Sequence, residues 1–599
     1  MAQKLMTPGV YIEEVNAFPG SVVEVATAVP AFIGYTEKAE RNGKSLVNTP
    51  TRITSFAEYR QFFGGAFKPK FTIDDISDKQ PKYEITLNSK SKAINYEADN
   101  DAYMFRSIQM FFNNGGGTCY IVSVGTYGDK NKVEVVSKSI LAGLDTLKKE
   151  QEPTMIVIPE AVKLEDCYDV YKKVLAHCAK MQSRVAILDI QDGESPRINS
   201  DNVDIIEDFR MKIGTEYLDF AAAYYPWLNT NVVQKGEITF ENITTDIKSL
   251  LPDSEEEAHK LINDFPQNKG AFIGELIKNK SQELEDALIQ DIPDLEQLKV
   301  TSEKPIEPAK PDDNASDKEK NEYKTKLDEF KKAEKKFNDD KKKFDDKKNE
   351  IIATKLTKEL LNDESLKATL KLYKDFVDNK KRNYHLGLVA TSPTYVNLTD
   401  EIRGVVNILP PSGAMAGIYT TVDNNRGVWK APANISLVNV VKPTVNITHD
   451  DQETLNVDAT SGKSINAIRT FPGIGPLVWG ARTLDGNSLD WKYINVRRTM
   501  IMLEQSIKLA LRSYVFEPND SNTWITVKSM IVNFLNEKWK QGALAGSTPE
   551  DAFDVQVGLG ATMTAVDILE GKMLVSVKLA IVRPAEFIVV TFEQQMQKS

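Results

Sequence analysis

The chain has 599 residues, of which 41% are hydrophobic and 27% charged, a composition typical of a soluble multidomain protein and not of a disordered chain. The 86 acidic and 75 basic residues give a formal net charge of −11, which argues against a chain-wide affinity for nucleic acid or anionic lipid. Three cysteines, no apolar run of membrane-spanning length and no apolar N-terminal signal together predict folding in a reducing cytoplasm.

The first twenty residues are predicted to form an extended arm. The β-rich run Val10-Tyr11-Ile12 lies between Pro8-Gly9 and Pro19-Gly20, which are turn signals. A second apolar run, Ala31-Phe32-Ile33, follows Pro30 and is expected to enter a sheet. Residues 1–20 are therefore predicted to lead, as an extended segment, into the first part of an α/β core at 21–228.

The glycine-rich segment Asn113–Gly117 lies between a helical pattern over Tyr103–Phe112 and a strand pattern over Cys119–Val124. A phosphate-binding loop needs the opposite order, with the glycines after a strand and before a helix, and a following Gly-Lys-Ser/Thr. Neither is present. The segment is therefore predicted to be a helix C-cap and turn.

Strand and helix patterns alternate in the rest of this core. The apolar runs Met155–Ile158 and Val185–Leu188 are predicted to be strands, and they flank a helical pattern over Cys167–Met181. This alternation predicts a mixed α/β class with a partly parallel sheet.

The composition changes sharply after about residue 230, and we expect a charged, largely helical insertion at 229–385. Between Thr301 and Glu350, 30 of 50 residues are charged, 15 of them Lys and 15 Asp or Glu. Apolar residues recur there every seven positions, at Tyr323, Phe330, Phe337, Phe344 and Ile351, with Leu327 beside them. The repeat predicts a long helix in a hairpin or coiled arm, and a solvated single helix or a disordered polyampholyte stays an alternative.

Globular composition returns after the insertion. We expect residues 386–484 to complete the core, residues 485–572 to form an inner C-terminal domain, and residues 573–599 to form a strand arm. Two amphipathic helices are predicted in the domain, with apolar faces from Val496 to Tyr514 and from Val527 to Trp539. A strand from Val575 to Ile581 and a second strand from Phe587 to Phe592 should follow.

The sequence offers no motif that carries catalytic chemistry. Four histidines serve the whole chain, and none has the spacing of a helical zinc site. His177 and Cys178 with Cys167 could supply three metal ligands, but they fall in an ordinary amphipathic helix, so buried thiols are the simpler interpretation. No nucleophile elbow is present. We therefore expect no enzyme, no metal and no cofactor.

Several blocks of the sequence resemble contractile tail sheath proteins, in the order seen in that family. The blocks are Thr7–Glu14, Ala28–Gly34, Phe112–Gly116, Cys119–Val122, Ala222–Trp227, Pro410–Gly417, Arg426–Asn434, Val478–Leu484, Tyr493–Arg498, Phe516–Asn519, Thr523–Trp524, Gly542–Leu544 and Pro584–Ile588. They cover residues 1–228 and 386–599, and the insertion matches no block. The combination is most similar to the sheaths of extracellular contractile injection systems, with phage tail sheaths as neighbours.

The resemblance implies a subunit that polymerises as stacked hexameric rings around an inner tube and contracts to drive the tube through a target envelope. It implies no cofactor, no nucleic acid and no membrane insertion. The implied partners are further copies of the chain, the inner tube protein, and baseplate and cap or terminator proteins. The implied location is assembly in the bacterial cytoplasm, followed by incorporation into an extracellular phage-tail-like particle or a virion tail.

Three sets of residues are implied to act in this assembly. The arms that complete a sheet in neighbouring subunits are Val10, Tyr11, Ile12 and Glu13 at one end and Phe587, Ile588, Val589 and Val590 at the other. The hinges of these arms are Pro8 and Gly9, and Arg583 and Pro584. The exposed basic residues that face an acidic tube are Arg497, Arg498, Lys508, Arg512, Lys538 and Lys540. The alternatives are ordinary edge strands within one subunit and a solvated helix surface.

Other functions stay open at this point. A contractile phage tail sheath belongs to the same mechanical class, and an α/β enzyme with an unrecognised active site belongs to a different one. The insertion is expected to face outward, because a segment with so few apolar residues is poorly suited to a ring interface.

Overall fold

The computed structural model describes residues 22–76, 81–97, 101–128, 132–198, 202–265, 304–310, 317–358, 364–458 and 460–590. The chain divides into two compact units. The body unit comprises Met1–Ile85, Lys92–Thr244 and Asp400–Ser599, and the insertion unit comprises Thr86–Ser91 and Thr245–Thr399.

Strands and helices alternate through much of the described chain. The strands of the described residues are β1 (Pro30–Thr36), β2 (Glu40–Arg41), β3 (Lys44–Ser45), β4 (Thr51–Ile53), β5 (Phe71–Asp75), β6 (Glu84–Leu87), β7 (Lys90–Tyr96), β8 (Cys119–Thr126), β9 (Met155–Val157), β10 (Val185–Asp189), β11 (Ala221–Tyr225), β12 (Leu228–Thr230), β13 (Ile408–Leu409), β14 (Ile435–Ser436), β15 (Val440–Pro443), β16 (Asn466–Phe471), β17 (Gly475–Val478), β18 (Phe553–Val557) and β19 (Val575–Leu579).

The α-helices of the same residues are α1 (Phe56–Phe63), α2 (Met104–Asn113), α3 (Ser137–Thr146), α4 (Cys167–Met181), α5 (Ile205–Lys212), α6 (Ile247–Leu250), α7 (Glu256–Asp264), α8 (Asp317–Lys358), α9 (Glu364–Thr391), α10 (Pro393–Val406), α11 (Ser412–Arg426), α12 (His449–Asn456), α13 (Ile494–Leu511), α14 (Ser521–Lys540), α15 (Pro549–Ala552) and α16 (Ala565–Leu569).

A nine-stranded sheet lies at the centre of the body unit, in the order β14-β17-β16-β11-β10-β9-β1-β8-β4. The inner strands from β16 to β8 run parallel, while β4, β17 and β14 are antiparallel to their neighbours. Every residue of β1, β9, β10 and β11 is buried, because parallel strands are covered on both faces and are apolar throughout. The predicted α/β class with a partly parallel sheet is confirmed.

The helices around this sheet follow the apolar spacing of the sequence. Helix α4 has the predicted bounds and buries Val170, Val174 and Cys178, which are about one turn apart. Helix α2 ends where the glycines begin: the backbone amide of Gly116 donates to the Phe111 carbonyl at 2.9 Å. Gly115 has φ +88°, a left-handed conformation that glycine adopts at little cost. The predicted helix C-cap is confirmed.

Two buried carboxyl groups hold helix N-termini against the sheet. Asp189, at the end of β10, accepts hydrogen bonds from the backbone amide of Ser412 at 2.8 Å and from its hydroxyl at 2.5 Å, at the start of α11. Glu160 accepts a hydrogen bond from the amide of Met104, the first residue of α2, at 2.8 Å. Burial raises the pKa of each carboxyl group to about 7. These contacts satisfy amides that have no partner within their own helices.

The C-terminal part of the body unit has a core of its own between α13, α14 and the hairpin of β18 and β19. Leu503, Ile531 and Leu535 are completely buried there. Both predicted helices are confirmed, and β19 packs the predicted side of its strand, from Val575 to Leu579, against this core. Residues 587–590 form no strand with other described residues of the subunit, and the predicted strand from Phe587 to Phe592 stays a prediction. Residues 591–599 lie outside the described residues.

The insertion unit is dominated by helices. The predicted long helix is present as α8, which has 42 residues and so spans about 63 Å. Of its predicted seam, Tyr323, Leu327, Phe330, Phe337 and Phe344 are half-buried, whereas nearly all other residues described around them are exposed. Elsewhere in this unit Phe265 stacks on Tyr384 with ring centres 3.9 Å apart. Pairing of α8 in a hairpin stays a prediction.

Candidate assembly site at the two chain ends

The N-terminal arm residues Val10, Tyr11, Ile12 and Glu13, with the hinge residues Pro8 and Gly9, lie outside the described residues. Their roles stay predictions. The structure does describe the segment that follows, residues 22–29, which we call the N-terminal root.

The N-terminal root is tied to the C-terminal part of the body unit. The backbone amide of Val25 donates to the Ser506 hydroxyl at 3.1 Å, in the middle of α13. Arg498 Nη2 donates to the Thr27 carbonyl at 3.0 Å, and the Glu24 carboxylate pairs with Lys538 of α14. The root therefore contacts both helices before the chain enters β1.

Three of the six basic residues expected to be exposed are buried instead. Arg498 forms a two-pronged ion pair with Asp423, at 2.9 and 2.5 Å, and its guanidinium lies over the Tyr419 ring. Arg497 lies 3.4 Å from Asp219, and only 4% of the Lys538 side chain is exposed. These three residues do not present exposed charge for a tube in this conformation, which corrects the sequence-based expectation.

The sequence signal behind this error is local. Helix α13 is buried on every side over residues 494–499, so its basic residues there cannot occupy a solvated face. An amphipathic pattern places charge on the outer side of a helix by default and does not detect such a turn. Lys508, Arg512 and Lys540 are exposed as expected, and Arg512 Nη2 donates to Gln151 Oε1 at 3.2 Å.

The hairpin of β18 and β19 has two open edges. The strands pair antiparallel from Phe553 opposite Leu579 to Val557 opposite Val575. Within the described residues neither strand pairs with a third strand. Each outer edge therefore presents backbone amides and carbonyls that a further strand can pair with.

Past this hairpin the last extensive set of contacts is at Glu586. Glu586 Oε2 accepts hydrogen bonds from Arg482 Nη2 at 2.7 Å and from the Tyr493 hydroxyl at 2.9 Å. Glu586 Oε1 accepts from Arg482 Nε at 2.9 Å and from Asn456 Nδ2 at 2.8 Å. Although burial opposes ionisation of Glu586, the hydrogen bonds from Arg482 and Asn456 hold the pKa of its carboxyl below the usual range.

The residues after Glu586 are apolar and exposed. The exposed fractions of Phe587, Ile588, Val589 and Val590 are 72%, 80%, 88% and 65%. A cavity of about 800 Å³ lies beside them, between this tail, α12 and Trp479. Four consecutive exposed apolar residues are unusual on the surface of a soluble protein.

The buried His177 of the body unit lies beside a charged side chain. His177 has Arg184 as a neighbour at 3.4 Å, and burial together with the Arg184 charge lowers its pKa to about 4. The positive charge of Arg184 also disfavours a metal cation beside His177. Among the described residues there is no cluster of three His, Cys, Asp or Glu residues suited to a metal ion, and no helix there is both long and apolar enough to cross a membrane.

Comparison with known proteins bears on the region that holds these features. Residues 487–595 match the family model of the phage tail sheath C-terminal domain. This part of the chain is therefore similar to the C-terminal domain of phage tail sheath proteins. The predicted resemblance is confirmed, and we call residues 487–595 the sheath C-terminal domain.

Two curated tail sheath proteins are similar to parts of the chain. One, from Burkholderia phage BcepMu, is 26% identical over 157 residues, which are 25% of this chain and 32% of that protein. Another, from Vibrio phage KVP40, is 29% identical over 127 residues, which are 21% of this chain and 19% of that protein. The chain therefore matches about a third and a fifth of the length of these relatives.

Solved structures match the chain over almost its whole length. The sheath complex of the extracellular contractile injection system PVC, in its contracted state, superposes with a TM-score of 0.52 at 24% identity, covering 99% of both chains. The helical sheath of the anti-feeding prophage, in its contracted state, gives 0.51 at 23% identity, covering 99% of this chain and 100% of that one. At these identities the likeness establishes the fold, which is that of contractile sheath proteins.

The sheath C-terminal domain contains α13, α14, the β18–β19 hairpin and Glu586, and the N-terminal root docks on it. Sequence reasoning identified this domain but missed Glu24, Asp423, Arg482 and Glu586 as its anchoring residues. Arg482 and Glu586 both fall in blocks that carried the sheath resemblance, which is the one signal that could have drawn attention to them.

Proposed function

We propose that this chain is the structural, non-enzymatic subunit of a contractile sheath, which polymerises around an inner tube and contracts to drive that tube into a target. The observation that carries the proposal is the β18–β19 hairpin of the sheath C-terminal domain. Both of its outer edges are unpaired within the described residues, and an exposed apolar tail follows it.

Strand exchange between copies follows from those open edges. An edge strand is a template for another chain: backbone hydrogen bonds provide affinity, and apolar side chains fix the register. We propose that residues 10–15 and 587–592 of neighbouring copies add to this hairpin. The apolar residues Phe587–Val590 would then become buried, which accounts for their exposure in a single subunit.

The stacked hexameric rings and the inner tube are further parts of this proposal. Lys508, Arg512 and Lys540 are the exposed candidates for contact with an acidic tube surface. Exposed ion pairs contribute about 0–1 kcal/mol each. Contacts of that strength can be released one after another during contraction. Baseplate and cap or terminator proteins are the proposed partners at the ends of the stack.

An extracellular injection particle is the proposed context, assembled in a bacterial cytoplasm. The observation that supports this context is that two injection-system sheaths superpose over 99% of this chain with TM-scores of 0.52 and 0.51. A contractile phage tail is the second candidate. We propose that the insertion unit faces outward, because α8 is charged over most of its surface.

Electron microscopy of the protein expressed alone tests the proposed assembly. The lysate is centrifuged at high speed, and the resuspended pellet is stained and imaged. We expect hollow tubes with a regular helical repeat. A chain that stays monomeric alone and also when co-expressed with an inner tube protein and baseplate from its own genome would contradict the proposal.

Neighbouring genes separate the two candidate contexts. An ATPase gene and several sheath paralogues without a capsid gene would favour an injection system. Capsid and terminase genes would favour a phage tail.

A further inference from the structure

We propose that Glu586 is the latch that fixes the C-terminal arm to its own subunit, so that the arm pivots after Glu586 and not at Arg583-Pro584. This inference rests on the proposed sheath function, because it identifies the residue that transmits load from the arm to the subunit. Glu586 is a positioning residue in this role.

The first argument is the geometry around the carboxylate. Both oxygens of Glu586 are used, by Arg482, Tyr493 and Asn456, at distances of 2.7 to 2.9 Å. A two-pronged arginine–carboxylate pair with two further donors fixes orientation as well as position. These donors fix the Glu586 side chain more firmly than the solvent-exposed ion pairs of a protein surface do.

The second argument is that the receptor for Glu586 is held in place independently. Only 5% of the Arg482 side chain is exposed, and its Nη1 donates to the Asn456 carbonyl at 2.9 Å. Its backbone amide donates to Asn466 Oδ1 at 2.7 Å, and its carbonyl accepts from Asn466 Nδ2 at 2.8 Å. A buried guanidinium held on these sides requires a carboxylate at the position of Glu586.

The third argument is the contrast on the two sides of the latch. Before it, the amide of Val582 donates to the Ala543 carbonyl at 3.2 Å, and Arg583 lies 3.8 Å from Asp490. After it, residues 587–590 are exposed. The predicted hinge at Arg583-Pro584 therefore lies between the hydrogen-bonded Val582 and Glu586, and it cannot change the direction of the arm. The exposed chain after Glu586 can.

A mechanical consequence follows for the assembled state. A pulling force on an arm that is paired with a neighbour acts on the Arg482–Glu586 ion pair. Glu586 also transmits this force to the start of α13 through Tyr493, which directly precedes that helix. Because Glu586 is fixed to its own subunit, the number of residues between Glu586 and the neighbour's sheet is constant. The position of Glu586 therefore sets the register in which the donated strand pairs with the neighbour.

The test compares Glu586→Gln with Glu570→Gln in the full-length chain. The first substitution keeps the shape of the side chain and removes the charge that Arg482 requires. Glu570 is the matched control, since it lies in the same domain and forms an exposed pair with Lys572. A nitroxide label is attached in turn to Ala585→Cys and to Val590→Cys, and the mobility of each is measured by EPR in the unassembled protein. The native cysteines are buried and so do not compete for the label.

We expect the label at 585 to be slow and the label at 590 fast in the otherwise unchanged chain and in the Glu570→Gln variant. In Glu586→Gln the label at 585 should become as mobile as the label at 590. Circular dichroism should show a folded chain at the assay temperature, with a lower thermal midpoint because the buried Arg482 loses its carboxylate partner. The yield of pelleted tubes should fall at least tenfold for Glu586→Gln only.

A label at 585 that stays slow in Glu586→Gln would overturn the latch, whatever the tubes do. Normal tubes from a variant with a mobile label at 585 would also overturn it. Loss of tubes in the unchanged chain and in the Glu570→Gln variant would instead refute the proposed function, and the EPR comparison would still decide whether Glu586 holds the tail.

Discussion

The large sheet of the body unit and the small sheet of the sheath C-terminal domain differ in the edge strands that they offer to a further strand. The nine-stranded sheet ends in β4 and β14, which have three and two residues, and its central strands are buried. Short edge strands give another chain little to pair with. The two-stranded sheet instead has edges of five residues each, and no third strand covers them among the described residues.

The large sheet therefore has little edge available for pairing with a further strand, whereas both edges of the small sheet are available. A two-stranded hairpin is marginally stable by itself and gains stability from helices or from additional strands. Here α13 and α14 cover one face of the hairpin. The strands it lacks are the ones that we propose neighbouring copies supply. The comparison predicts that changes at the chain ends abolish assembly and spare the fold, whereas changes beneath the large sheet destabilise the fold itself.

Removal of residues 587–599 should have the largest effect. The truncated chain keeps the Glu586 latch but loses the exposed apolar tail, so it should fold with an unchanged thermal midpoint and form no tubes in a pelleting assay. A chain that ends at Glu593 keeps the proposed strand and serves as the control. Tubes of normal yield from the shorter chain would remove the C-terminal arm from the proposal.

Removal of residues 1–15 tests the other arm in the same way. We expect a folded chain that does not polymerise, because the N-terminal root from Glu24 to Thr27 stays docked on α13 and α14 without the segment that would reach a neighbour. Circular dichroism and electron microscopy of the pellet measure the two properties separately. Normal tubes from this deletion would refute the proposed N-terminal exchange.

The parts of the fold that sequence reasoning found are those with a regular apolar period. Helix α4 has the predicted bounds, and the parallel strands were visible as continuous apolar runs. Such signals are local, since they depend on residues within a few turns of each other. The sheath resemblance supplied the order of the blocks and the basis of the proposed function.

The anchoring contacts were not predictable because they join distant parts of the chain. Arg482 and Glu586 are 104 residues apart, and Lys538 and Glu24 are 514 apart. No period or spacing relates such pairs. The same reason explains the misplaced basic residues: whether Lys538 faces solvent depends on the route of the N-terminal root, which the sequence of α14 does not contain.

The pair Lys538→Glu and Lys540→Glu separates anchoring from tube contact. Lys538→Glu places two carboxylates together under the N-terminal root and should lower the free energy of unfolding by about 2–3 kcal/mol, less than for a fully buried pair because the Glu24 side chain is 40% exposed. Chemical denaturation measures this loss. An unfolding free energy like that of the unchanged chain would show that the root is not anchored there.

Lys540→Glu should have a smaller effect of a different kind. The residue is exposed, so the unfolding free energy should change by no more than about 0.5 kcal/mol. If Lys540 faces the tube, sheaths assembled with tube protein at low salt should retain several-fold less tube, and the difference should shrink at high salt. Equal tube content at every salt concentration would exclude Lys540 from the contact.

A pH dependence of stability with opposite sign is expected in the two regions. Burial raises the pKa of Glu160 and Asp189 to about 7, above the unfolded values of 4.5 and 3.8. Between about pH 4 and 7 the folded chain therefore binds more protons than the unfolded chain, and stability falls as the pH rises, by up to about 1.4 kcal/mol per pH unit for each acid. The Glu586 latch requires the ionised form, so its contribution is complete above about pH 4.5 and is lost as the pH falls further.

Hydrogen exchange resolves the two effects because it reports on each region separately. Raising the pH from 4.5 to 7 should lower the opening free energy of the first turns of α2 and α11, after correction for the intrinsic exchange rate. Glu160→Gln should remove the pH dependence at α2 and leave that at α11, and Asp189→Asn should do the converse. The backbone around Arg482 should instead lose protection only below about pH 4.5. Identical pH profiles in all three places would mean that the buried carboxyl groups of the body and the latch of the arm do not differ in charge state, and the contrast between the two regions would then rest on strand edges alone.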